Sequence, residues 1–169
     1  MKKIFCLIIA CFLISLNSYS SHFMGGEITW ECINSGPNVG KYIFQMKVYR
    51  DCNGITFSST PQTLTHHNYP SLGMTTPMTL NFTSVTDVSP SGSILSGNTC
   101  FDCMTGYLGS VEEYIWNSDP MTLTGTPPAE GWHFTWGTCC RSSNITNGMA
   151  DDSWTLRAVM YPYTDPVTG

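Results

Sequence analysis

The chain has 169 residues, of which seven are Lys or Arg and twelve are Asp or Glu, for a net charge of −5 with only 11% charged side chains. Such a balance offers no basic stripe to neutralise phosphates and argues against nucleic acid as a partner. Abundant Ser, Thr, Gly, Asn and Pro beside scarce Lys and Glu favour strands and turns over helices.

The first element is a leader. Lys2 and Lys3 precede an uncharged, largely apolar run from Ile4 to Leu16, and Asn17-Ser18-Tyr19-Ser20 then places small residues at Ser18 and Ser20. This is the three-part plan of a secretory signal peptide. The run is shorter than the roughly 20 apolar residues a spanning helix needs. Residues 1–20 are therefore expected to be removed, leaving residues 21–169 as one domain without a transmembrane segment. A rival reading takes Ile8-Ile9-Ala10-Cys11 as a lipoprotein box with Cys11 lipidated, but Phe12-Leu13-Ile14 continue the apolar run past it. Loss of Lys2 and Lys3 moves the net charge from −5 to −7.

Strand patterns follow in chain order. Glu27 to Ile33 alternates, with Ile28, Trp30 and Cys32 on one face. Lys41 to Arg50 alternates too, setting Tyr42, Phe44, Met46 and Val48 toward the core and the more polar Ile43, Gln45, Lys47 and Tyr49 outward. The turn formers from Asn34 to Gly40 make these two a hairpin. Further strands are predicted at Pro77 to Val85, Glu112 to Trp116, Met121 to Thr124, Trp132 to Cys139 and Ser153 to Tyr161. Trp132, Phe134 and Trp136 form one aromatic face, and Trp154, Leu156, Ala158 and Met160 form another apolar one. Ser58 to Thr76 reads as a long loop or short edge strands, and Val88 to Asn98 as a loop. Seven short strands with turn-rich spacers predict an all-β fold, an immunoglobulin-like antiparallel β-sandwich with disulfides.

Removal of the leader takes Cys6 and Cys11 with it. Cys32, Cys52, Cys100, Cys103, Cys139 and Cys140 remain, an even set that reads as disulfides in an exported chain. Around a turn near Pro37 paired positions sum to about 74, which puts Cys32 beside Tyr42 and about 33 Å from Cys52 at roughly 3.3 Å per residue. If the hairpin forms, a bond between them is disfavoured, because disulfide Cα atoms lie within about 7 Å. Cys52 is then expected to join Cys100 or Cys103, and Cys32 to join Cys139 or Cys140.

No chemical motif stands out. Cys100-Phe101-Asp102-Cys103 is a CxxC without a second copy and reads as half-cystines rather than a zinc or redox site. The vicinal Cys139-Cys140 pair points to two different partners. His66-His67 lacks a third ligand at useful spacing, and Asp151-Asp152 lacks the oxygen-rich loop of a calcium site. Glu112-Glu113 could act as a catalytic acid but reads better as a strand edge protected from aggregation. There is no GxSxG, HExxH or phosphate-cradling loop. No catalytic residue, metal or cofactor is expected.

Four stretches carry a family resemblance: SHFMGGEITWEC over 21–32, VYRDCNG over 48–54, VEEY over 111–114 and CCRSSNITN over 139–147. In this order the chain resembles the N-terminal domain of large surface proteins of Bacteroidota, the gliding-motility-associated and PKD-repeat proteins. The resemblance implies type IX secretion, a secreted or cell-surface, outer-membrane-associated location, and a role in adhesion or gliding motility without catalysis. A cysteine that the family pattern places around His66 to Met74 is missing here. The ending at Asp165-Pro166-Val167-Thr168-Gly169 lacks a closing element, so the chain is expected to be the N-terminal part of a longer protein.

The expectation is thus a non-catalytic module that binds a cell-surface glycan or protein. Tyr49, His133, Arg141 and Asn144 are its candidate contacts, the last in the loop Ser142 to Gly148. Two alternatives stand beside it. One is an exported hydrolase or carbohydrate-active accessory domain using Glu27, Glu31, Glu112 and Glu113. The other is a structural cap that begins a stalk of repeats.

Overall fold

The computed structural model describes residues 23–52, 54–68, 77–89, 110–139 and 153–163. These hold seven strands: β1 Phe23–Cys32, β2 Tyr42–Asp51, β3 Gln62–His67, β4 Met78–Asp87, β5 Val111–Asn117, β6 Trp132–Thr138 and β7 Trp154–Met160. Among the described residues there is no helix, and so none long and apolar enough to cross a membrane. The strands join in the order β1-β2-β5-β4-β3-β6-β7, every hydrogen-bonded pair antiparallel. Six antiparallel steps leave β1 and β7 running the same way. They touch each other without being ladder neighbours. The sheet is all but closed, with its seam between those two edges.

The first hairpin shows how the sequence imposes register. Cys32 pairs with Tyr42, Trp30 with Phe44 and Ile28 with Met46, the sum of 74 that the turn predicts. Gly36 and Gly40 supply left-handed backbone at φ 79° and 82°, which side chains with a Cβ resist. The Gly40 N–H donates to the Ile33 carbonyl at 2.8 Å and closes the turn. The strand starts earlier than its alternation suggests, at Phe23 rather than Glu27, with an irregularity between Phe23 and Gly25. Gly26 is required at the seam. A Cβ there would lie 2.5 Å from the Lys47 carbonyl oxygen and 2.8 Å from a Leu156 methyl.

β3 is the element that the sequence hides. Its first half, Gln62 to Leu64, pairs with β4, and its second half, Thr65 to His67, pairs with β6. It therefore links a four-stranded ladder, β1-β2-β5-β4, to a three-stranded one, β3-β6-β7. The predicted strand at Met121 to Thr124 does not form. Met121 makes one isolated bridge to Tyr42, each N–H donating to the other's carbonyl at 2.8 and 2.9 Å. Pro120 before it and Pro127 and Pro128 after it lack N–H donors, so a ladder cannot extend in either direction from this short segment. β5 is not an edge, as read from its paired glutamates, but lies between β2 and β4.

The core is aromatic and sits between the two ladders. Phe23, Phe44, Met46, Val48, Leu64, Leu80 and Phe134 are fully buried, with Tyr114, Trp116, Trp132 and Trp136 close behind. Rings meet across the interior, Phe44 with Phe134 at 4.5 Å and Phe23 with Trp154 at 4.6 Å. Such pairs contribute about 0.5–1.5 kcal/mol each beyond the area they bury. Two of the indoles keep a hydrogen bond: Trp116 Nε1 donates to the Thr60 carbonyl at 3.0 Å, and Trp136 Nε1 to Gln62 Oε1 at 3.1 Å.

Candidate functional site

The register distributes the polar side chains over two poles and two outer faces. The Phe23 end of β1 meets Trp154, which pairs with Thr138, and Arg50 pairs with Phe23. Cys52 and Cys139, each one residue beyond its strand, therefore share this pole. Both are disulfide-bonded. Cys100, Cys103 and Cys140 lie outside the described residues, so no pairing is assigned.

Cys32 departs from expectation. It is a free, exposed thiol at the far end of β1. Nine residues separate it from Phe23, about 30 Å of extended chain. Cys139 lies at the Phe23 end, so a Cys32–Cys139 bond would need Cα atoms several times closer than the strand allows.

At the disulfide pole Arg50 is buried, with 4% of its surface exposed. Its guanidinium is engaged on every side. Nε and Nη2 donate to Glu112 Oε2 at 3.0 and 2.5 Å, and Nη1 donates to the carbonyls of Asp51, Cys52 and Gly54. Tyr114 completes the cluster by donating to Glu112 Oε2 at 3.0 Å. Burial raises the Tyr114 phenol above its usual 10.0, and its bond to Glu112 adds to this. The arrangement clamps the backbone that carries Cys52. It also explains two of the sequence stretches singled out above. VYRDCNG and VEEY are cross-strand partners, Tyr49 opposite Glu113 and Arg50 opposite Glu112. Glu112 therefore balances a buried cation and does not guard a strand edge.

On the outer face of β1, β2 and β5, Lys47 Nζ lies 4.0 Å from Glu27 and 3.6 Å from Glu113. Tyr49 donates to Glu113 Oε2 at 3.0 Å, and its phenol is raised by burial first and by that bond second. On the outer face of β3, β6 and β7, His133 pairs with His67 across the ladder. The His133 ring lies 2.8 Å from the Glu130 carbonyl and 3.1 Å from Arg157 Nη2. His67 Nε2 meets Thr135 Oγ1 at 3.0 Å. His66 turns to the other side of β3, and desolvation followed by the charge of His67 lowers its pKa. Among the described residues no three of His, Cys, Asp and Glu converge as metal ligands would.

Tyr49 and His133 thus belong to different ladders and are not brought together. Arg141, Asn144 and the loop Ser142 to Gly148 lie outside the described residues. The four carboxylates of the hydrolase alternative divide as well. Glu112 turns inward to Arg50, while Glu27 and Glu113 share Lys47 on the outer face.

The pole opposite the disulfides carries what the strand patterns did not reveal. The Tyr42–Met121 bridge folds the chain after β5 against the start of β2. A recess of about 250 Å³ opens there, with Trp30, Tyr42, Pro127, Trp132, Tyr161 and Tyr163 in its wall. Tyr161 is 63% exposed and Tyr163 83%. A second hollow, about 350 Å³, lies over the outer face of β1 and β2 and is lined by Thr29, Glu31, Ile43, Gln45, Asn117 and Ser118, with Trp30 common to both linings. Gln45 Nε2 donates to Asn117 Oδ1 at 3.0 Å, and Asn117 Nδ2 donates to Thr83 Oγ1 at 2.9 Å. Tyr161, Pro162 and Tyr163, which follow β7, end the alternating pattern at this pole.

No family model, curated protein or solved structure matches this chain.

Proposed function

We propose that this chain is the non-catalytic, ligand-binding module of an exported surface protein of the gliding-motility-associated type, built as an immunoglobulin-like β-sandwich. The strand order supports the fold reading. The ladders β1-β2-β5-β4 and β3-β6-β7 reproduce the ABED and CFG sheets of that architecture, with β3 exchanging partners between them. The leader and the disulfides at Cys52 and Cys139 support export into an oxidising space.

One observation carries the function. The ionisable side chains discussed above are engaged in structural pairs, Arg50 with Glu112 and Lys47 with Glu27 and Glu113, whereas large aromatic side chains stand exposed at one pole. Tyrosine and tryptophan presented this way offer rigid contact area together with a polar handle, as binding surfaces do. The processed chain should therefore bind a glycan or a surface without turning anything over. Residues 21–169, immobilised and tested on a glycan array and on intact bacterial and abiotic surfaces, should retain at least one ligand. Silence on all of them would leave only the structural cap, and hydrolysis of a retained glycan would favour the hydrolase.

A further inference from the structure

We infer that the outer face of β3, β6 and β7 docks an acidic polysaccharide, with Arg157, His133 and His67 receiving its uronate carboxylates. This names the ligand class of the binding module argued above and rests on that reading. The register gathers the three side chains. His67 lies directly opposite His133, and Arg157 lies opposite Thr135, which is itself opposite Thr65. These partners share the outward side of the ladder, because the residues that alternate with them, Leu64, Phe134, Trp136 and Ala158, are buried in the core. Arg157 Nη2 stands 3.1 Å from each ring nitrogen of His133, which ties the two into one group.

Charge singles this face out. Among the described residues Lys47 and Arg50 pair with carboxylates, and Lys41 donates to Asn38 Oδ1 at 2.9 Å. Arg157 differs: its hydrogen bonds within the described residues go to His133 alone, so Nε and Nη1 keep their donors for a ligand. No carboxylate of the described residues forms an ion pair with Arg157, His133 or His67. Glu130, just ahead of β6, meets the His133 ring through its backbone carbonyl. The other outward positions beside them are Thr65, Thr135, Gly137, Thr155 and Val159, none of them acidic. The outer carboxylates Glu27, Glu31 and Glu113 belong to the other ladder. Packed sheets lie about 10 Å apart, beyond the roughly 8 Å over which exposed charges act at physiological salt. Local positive charge therefore governs what docks here, and not the net charge of the chain.

The donors specify the ligand. A guanidinium is a planar fork that matches a planar carboxylate. Flanking threonine hydroxyls suit the hydroxyls of a sugar chain. One arginine and two histidines neutralise few charges, so a polymer with one carboxylate per sugar fits better than a densely sulfated or phosphorylated one. Histidine gains charge as the pH falls from about 8 to about 5 while a carboxylate stays ionised, so binding tightens toward acid. His66 turns inward, and desolvation followed by the charge of His67 lowers its pKa, so it adds no charge to this face.

The experiment is isothermal titration of residues 21–169 with polygalacturonate and alginate, with neutral galactan, heparin and polyphosphate as comparison ligands. At least one of the two uronates should bind, more tightly near pH 5 than near pH 8, and galactan should not. Arg157→Gln should weaken binding roughly tenfold. Lys41→Gln, an equal loss of charge beside the first turn, should leave it unchanged. His67→Gln/His133→Gln should remove the pH dependence. Arg157→Lys, which keeps the charge and loses the fork, should fall between parent and Arg157→Gln, and it decides the matter if Arg157→Gln does not fold. Failure of both uronates to bind overturns the proposal, as does tighter binding of galactan, heparin or polyphosphate, or an effect of Lys41→Gln equal to that of Arg157→Gln. Self-association without polymer that Arg157→Gln abolishes also overturns it, because the acidic face of a second copy is then the occupant. Retention of neutral glycans alone on the array defeats this face while leaving the binding-module reading intact.

Discussion

Arg50 and Glu112 show how one buried pair can position a whole segment. The guanidinium has five donors and spends them on one carboxylate and the carbonyls of Asp51, Cys52 and Gly54. Removing one charge of such a pair leaves the other buried without balance, at a cost of about 3–5 kcal/mol. Glu112→Gln is therefore expected to lower the urea midpoint by an amount corresponding to roughly 3 kcal/mol. Glu113→Gln, on the outer face, should cost less than about 1 kcal/mol. Equal effects of the two would contradict the assignment of Glu112 to the interior.

Tyr49 and Tyr114 give the same carboxylates a pH signature. Both phenols ionise at higher pH in the fold than in the unfolded chain, where the value is 10.0, chiefly because they are desolvated and secondly because each donates to a glutamate. A raised folded value means that the neutral phenol is favoured by the fold. Its stabilisation is complete below pH 10 and is lost as the pH rises beyond it. Chemical denaturation between pH 8 and 11 should show a falling stability that flattens in the Tyr49→Phe/Tyr114→Phe variant. An unchanged slope in that variant would refute the attribution.

At the scale of the element, the seam between β1 and β7 depends on a missing side chain. Gly25 has open space around its would-be Cβ, and Gly26 has none. Gly25→Ala is expected to be near neutral, whereas Gly26→Ala should destabilise by about 1–3 kcal/mol through overpacking against Lys47 and Leu156. Thermal melting of the two variants checks this, and matched melting temperatures would mean that the edges do not close.

Legibility varied from strand to strand for definite reasons. β1, β2, β6 and β7 bury alternate large side chains and so announce their faces, and the glycine-rich turn pins the register of the first pair. β3 contributes only Leu64 to the fully buried core between polar neighbours, so its pattern is too weak to separate from a loop. Met121 to Thr124 has the apolar alternation of a strand but sits among prolines, and backbone chemistry prevails over pattern there. The recess at the Trp30 pole was not legible at all, because it forms where the chain after β5 and the chain after β7 come to rest on Trp30 and Tyr42.

At the scale of the whole molecule, the chain is polarised. One end holds disulfide-bonded Cys52 and Cys139 with the buried Arg50 clamp, and the other presents exposed tyrosines and the free Cys32. Hairpin spacing was enough to show that Cys32 cannot reach Cys52. It could not show at which pole β6 ends, and so the expected partner for Cys32 was wrong.

Among the described cysteines, oxidation of Cys52 and Cys139 beside a free Cys32 is the claim on which the export reading leans, and differential alkylation tests it most directly. The purified, non-reduced chain is treated with iodoacetamide under native conditions, digested and mapped by mass spectrometry. Cys32 should be alkylated rapidly, while Cys52 and Cys139 should be recovered in disulfide-linked peptides that become reactive only after reduction. Alkylation of Cys52 and Cys139 in the native chain, or recovery of Cys32 in a bond to Cys139, would contradict the account.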